Sequence, residues 1–198
     1  MVRNTLSELV DIRQERTIAN NESKRKGEID SNVWSNNDMK IYNDFFESVK
    51  RLNHDTAVNE LIEYFKRKLS ENNWNHKDDY WLVSIIEIAD PVLIPYLTNI
   101  LKLQGEDIPY YSIIDVLRWV PEEVGALAVT ELCEIISANN PYWNDDIFQA
   151  AFETLFWIGD EKGYEFIYRS CDSEVESISK WAKYYRDNWI EDPETDSE

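Results

Sequence analysis

Ile85-Ile86-Glu87-Ile88-Ala89-Asp90-Pro91-Val92-Leu93-Ile94-Pro95-Tyr96-Leu97 sets two apolar helical patterns back to back across the short turn Ile88–Pro91. Before the turn, Leu82, Ile85 and Ile88 recur at helical spacing; beyond it, Leu97 and Leu101 do the same. Asp followed by Pro marks a helix start, because Asp caps free amides and Pro tolerates the first helical position. Two later turns have the same shape, Trp119-Val120-Pro121-Glu122 and Ile158-Gly159-Asp160-Glu161. With Asp90, Pro121 and Asp160 set as equivalent, eight positions earlier stand Leu82, Ile113 and Phe152. Five earlier stand Ile85, Val116 and Leu155, and two earlier Ile88, Trp119 and Ile158. Seven later come Leu97, Ala128 and Ile167, and eleven later Leu101, Leu132 and Cys171. Every column is apolar, and the offsets of 31 and 39 residues bracket a two-helix repeat. A unit of that size cannot bury its apolar face alone, so neighbours must stack.

Working outward, the 3.6-residue period predicts helices at 4–18, 39–52, 55–70, 78–89, 91–103, 109–119, 121–138, 145–158, 161–171 and 174–189. Five Gly, six Pro and few strictly alternating segments leave too little turn density for a β-sandwich or barrel. The expected fold is all-α, a short curved array of antiparallel helical hairpins. In 55–70, Val58, Leu61, Ile62, Phe65 and Leu69 share one face, with Asp55 as the expected N-cap. In the last helix Val175, Ile178, Trp181, Ala182, Tyr185 and Trp189 do so. Residues 20–38, rich in Asn, Ser, Lys and Glu, read as a long polar connection anchored by Trp34. One domain over 1–190 is expected, with N-terminal helices in 1–76, repeats in 77–190 and an acidic tail at 191–198. An irregular bundle with coincidental register is the competing architecture.

The stretch Ile85–Leu97 and its two echoes resemble the HEAT and phycobilisome-lyase-like helical repeat families. Their units run helix, tight turn with Asp or Pro, and returning helix. The resemblance covers about 78–189 and is one of pattern; the second and third turns lack the following Pro-x-x-x-Pro. It implies a curved solenoid that works by binding.

Charge is unevenly spread. Residues 1–76 hold 13 acids and 12 bases, whereas 77–198 hold 26 acids and 8 bases, a net of −18 within the chain's −19. Glu191–Glu198 contributes five acids in eight residues and reads as a solubilising end. Such a surface repels a phosphate backbone, so no direct nucleic-acid binding is expected. The basic clusters Lys24-Arg25-Lys26, Lys50-Arg51 and Lys66-Arg67-Lys68 read as solvated faces. No stretch approaches a membrane span, and the two cysteines, Cys133 and Cys171, sit in apolar helical patterns like small buried hydrophobes. A reducing cytoplasm is the expected location.

Only two histidines, His54 and His76, exist, so a multi-histidine metal centre is excluded and no metal or cofactor is expected. His76 with Asp78 and Asp79 reads as a helix start. No Gly-rich phosphate loop, Gly-x-Ser-x-Gly elbow or Cys–His pairing is found. The paired carboxylates Glu122-Glu123 and Asp145-Asp146 sit at helix starts, where acids complement the macrodipole. Partner contacts are expected from Glu123, Glu131, Glu134, Asp145, Asp146, Glu161 and Glu165, with Tyr142 and Trp143 as aromatic anchors. Tyr110-Tyr111 and Tyr184-Tyr185 also fall at helix ends or loops, whereas Trp81, Trp119, Trp157 and Trp181 lie in apolar columns and are expected in the core.

Small acidic helical proteins without catalytic residues resemble, as a type, the bacterial immunity proteins that cover a toxin's basic active site. That type implies a protein partner with a basic surface, a cognate toxin such as a nuclease, inhibited by occlusion. A scaffold joining two partners is the first rival. An enzyme built on helical repeats, using Asp145 or Glu161, is the second.

Overall fold

The apolar stripes of the sequence become helices throughout: the computed structural model describes residues 5–75 and 78–189, and every regular element among them is helical. No helix among them is long and apolar enough to cross a membrane. The chain divides by contacts into one unit through Leu93 and another from Ile94 onward. The division falls 17 residues beyond the 76/77 boundary read from charge, inside the first predicted hairpin.

The first unit comprises α1 (Leu6–Arg25), α2 (Ser31–Val49), α3 (His54–Glu71), α4 (Asp78–Ile88) and a 3-10 turn at Pro91–Leu93. Thr5 and Glu8 form a reciprocal capping box that starts α1. The long polar connection expected at 20–38 is absent: α1 runs on to Arg25 and α2 begins at Ser31, capped by Asp30. Polar side chains hold this helical extension together. Asn20, 7% exposed, donates to the carbonyl of Trp34 at 3.1 Å; the Trp34 indole donates to Asn21 at 2.8 Å. Lys24 lies 3.9 Å from the Trp34 ring centroid. Trp34 is thus the anchor expected, in a helix pair in place of a loop. The cap of α3 is Asn53, which accepts from the Thr56 amide, and Asp55 lies in the first turn. Lys68 leaves its basic cluster: 6% exposed, it gives its ammonium to Asp78. His76 lies outside the described residues.

The second unit comprises α5 (Ile94–Leu101), α6 (Tyr110–Trp119), α7 (Glu122–Gly125), α8 (Val129–Ser137), α9 (Asp145–Ile158), α10 (Glu161–Ser170) and α11 (Glu176–Trp189). The helix expected over 121–138 is interrupted by a 3-10 turn at Ala126–Ala128, and Leu127 on that turn is 57% exposed. Of the apolar columns, every position is buried except Trp119. The turns share chemistry where their residues allow it. Asp90 accepts from the Val92 amide at 2.9 Å and Asp160 from the Lys162 amide at 2.9 Å. The preceding residues, Ala89 and Gly159, are left-handed at φ 47° and 71°. Val120, before a proline, is extended instead, at φ −69° and ψ 157°.

Contacts define the order of this unit. Thr154 donates to the carbonyl of Ile114 at 3.2 Å, and one turn further on Ile158 and the Leu117 carbonyl both border Gly125. Helices α6 and α9 therefore run parallel. Asp145 accepts from Lys180 and Trp181, while Phe156 meets Tyr185 and Trp189 at 5.8 and 6.1 Å, so α9 and α11 are parallel too. The returning helices α8 and α10 pack against each other, as α5 does against α8.

Candidate interaction surface

The nine sequence-predicted contact residues do not converge on one site. Glu134 and Glu165 do meet, in a groove of about 570 Å³ between α8 and α10. Thr130, Cys133, Ser137, Lys162, Phe166 and Arg169 complete its lining, so its charge is mixed. Burial pushes the Cys133 thiol up to about 12, which keeps it protonated at neutral pH. Glu131 is paired elsewhere, accepting from Lys102 at 2.9 Å. Hydrogen bonds from Thr98 and Lys102 hold its carboxyl below the usual value. Asp145 is engaged by α11 at the surface, accepting from Lys180 at 2.6 Å and from the Trp181 indole at 3.0 Å, and Lys180 holds its carboxyl below the usual range. Glu123, Asp146 and Glu161 are exposed in the first turns of α7, α9 and α10.

The aromatic assignments are largely exchanged. Trp143, expected as an anchor, is 6% exposed and packs edge-on to Phe148 and Tyr110 at 5.4 and 6.0 Å, while its neighbour Tyr142 is exposed. Asn140 ties that loop down by donating to the Leu103 carbonyl at 3.0 Å. Tyr110 and Tyr185 are buried; Tyr111 and Tyr184 are exposed. Conversely Trp119 and Trp157, expected in the core, are 60% and 64% exposed, and Trp189 is 59% exposed. Trp81 and Trp181 are half-buried.

These three exposed indoles terminate the three parallel helices. Between the first two, Arg118 pairs with Asp115 on its own helix and with Glu153 of α9 at 2.8 Å, its guanidinium 5.2 Å from the Trp119 ring centroid. Trp157 lies one turn beyond Glu153 and meets Phe156, which also meets Trp189. The signal was present in the sequence: Trp157 shares the stripe of Asp146 and Glu153, and Trp119 that of Tyr111 and Asp115, by spacings of four, seven, eight and eleven residues. Those polar stripes outweighed the apolar column into which Trp119 falls.

No family model, no curated protein and no solved structure matches the chain.

Proposed function

We propose that this chain is a non-catalytic, acidic helical-repeat module that binds a protein with a basic surface. A HEAT-like stack is the arrangement we infer for the second unit, supported by the parallel run of α6, α9 and α11 with α8 and α10 returning beside one another. The observation that carries the binding reading is charge. Residues 94–189 hold 17 acids against 7 bases, and Lys102, Arg118, Lys180 and Arg186 are already paired with carboxylates. Such an excess steers a basic partner and rejects nucleic acid. The partner class favoured is a toxin with a basic active site, neutralised by occlusion in the manner of immunity proteins.

Two details weigh against the enzymatic reading. Asp145 is engaged by Lys180 and held ionised, which unsuits it as a general acid at neutral pH, and Glu161 stands exposed in a helix's first turn. A scaffold is the second reading, favoured by two separate surfaces on the second unit, the α8–α10 groove and the aromatic helix ends.

Capture from the native host followed by association kinetics tests the proposal. The on-rate for the captured protein should fall steeply between about 0.01 M and 0.15 M salt, as the Debye length drops from about 30 to about 8 Å. For an immunity protein, equimolar addition should also abolish the partner's activity. A salt-independent on-rate would remove the electrostatic basis of the proposal, and simultaneous capture of two independent partners would favour the scaffold.

A further inference from the structure

The geometry points to the C-terminal ends of α6, α9 and α11 as a docking surface for arginine side chains of a protein partner. This inference rests on the basic-partner reading and assigns its location and recognition chemistry.

Trp119, Trp157 and Trp189 are each about three-fifths exposed. With roughly 250 Å² per side chain, each presents on the order of 150 Å² to solvent. Phe156 links two of them, its ring centroid 5.6 Å from that of Trp157 and 6.1 Å from that of Trp189. Burial in a core would be the ordinary fate of a tryptophan near an apolar column. Repetition at the same end of three parallel helices makes this a built feature of the stack.

Three properties select a guanidinium as occupant. Indole faces attract cations through the ring quadrupole, most strongly for tryptophan, and planar guanidinium also stacks on them. The C-terminal end of each helix carries the negative end of its dipole, and three such ends lie together. Two carboxylates stand at this end, Asp115, which accepts from the Trp119 indole at 3.3 Å, and Glu153, both shared with Arg118. The molecule already holds one arginine this way, since Arg118 lies against Trp119 with Asp115 and Glu153 as its carboxylate partners. A second copy of the chain is disfavoured as occupant, because each would bring 17 acids against 7 bases from residues 94–189.

The test uses the full chain and two labelled probes, a nona-arginine and a nona-lysine peptide, followed by fluorescence anisotropy at low salt. Nona-arginine should bind more tightly than nona-lysine. Each exposed ring contributes roughly two- to fivefold at such a site, so Trp119→Leu with Trp157→Leu should weaken nona-arginine by about tenfold. Phe at both positions should give an intermediate loss, and either version should melt like the parent because both rings are exposed. Met39→Gln, which removes an exposed apolar side chain on α2 without changing charge, should change affinity less than twofold. Undiminished nona-arginine binding by the folded tryptophan variants would overturn the surface while leaving the basic-partner reading standing. Absence of binding by either peptide to the parent would overturn that reading as well. Sedimentation showing a dimer that the tryptophan variants abolish would assign the face to a second copy and overturn the inference.

Discussion

Replacing Asp78 by Ala removes the centre of the most buried ionic network in the first unit. Asp78 is 3% exposed and Lys68 6%. The Asp78 Oδ1 accepts from the Lys68 ammonium at 2.8 Å and from the Tyr64 hydroxyl, while Oδ2 accepts from the same ammonium at 2.9 Å and from the Asn75 amide at 2.6 Å. The second strong acceptor for Lys68 is the Asn73 carbonyl at 2.6 Å. Without the carboxylate, the buried ammonium keeps Asn73 but loses its counter-charge, while the Tyr64 phenol and the Asn75 amide lose this acceptor. Breaking a buried pair by removing one partner costs about 3–5 kcal/mol, roughly a fifth or more of a typical domain's stability. Asp78→Asn keeps an acceptor but not the charge, and should cost about 1.5–3 kcal/mol. Lys68→Met combined with Asp78→Leu should recover much of the loss, because no uncompensated charge remains. Urea unfolding gives these values, and hydrogen exchange at the Asn75 amide localises them. If Asp78→Ala lies within about 0.5 kcal/mol of the parent, the network contributes nothing net and the argument fails.

The two left-handed turn residues should respond in opposite directions. Ala89→Gly relieves a strained φ of 47° and should stabilise by about 0.5–1 kcal/mol, whereas Gly159→Ala at φ 71° should cost about 1–2 kcal/mol. Thermal melts of both variants check the pair. The depressed carboxyl of Glu131 contributes stability that is present above the ordinary glutamate value and is lost as pH falls through its lower folded value. Acid titration of Glu131→Gln should therefore show a shallower loss on that limb than the parent; identical profiles would refute the coupling. Cys133, pushed up to about 12 by burial, should react with iodoacetamide at pH 8 far more slowly than a free thiol under native conditions. A rate equal to that of free cysteine would show the thiol to be accessible and activated.

The all-helical class was legible because period and composition are local properties. Leu97, Ala128 and Ile167 are fully buried, as are Leu101 and Leu132, since an apolar column at helical spacing has one way to leave water. Turn chemistry was legible at Asp90 and Asp160, whose caps depend only on the next two residues. Helix length was less so: Asn and Ser between 20 and 38 disfavour helix intrinsically, and bonds between distant residues, such as those of Asn20, Asn21 and Trp34 across α1 and α2, support the helices there.

Charge and its asymmetry belong to the sequence by itself, and with them the expectation of a basic partner. Which side chains can meet that partner was decided only by tertiary structure. A tryptophan has enough surface to lie in a core or against a partner, and spacing along one helix does not say whether the next helix covers it. Packing of Phe148 and Tyr110 covers Trp143, while Trp119 and Trp157 emerge beside the Arg118–Glu153 bridge where α6 and α9 run parallel. Long-range packing likewise engaged Asp145 with Lys180 and Glu131 with Lys102. Exposure is a property of neighbours distant in sequence, and it is set when the helices stack.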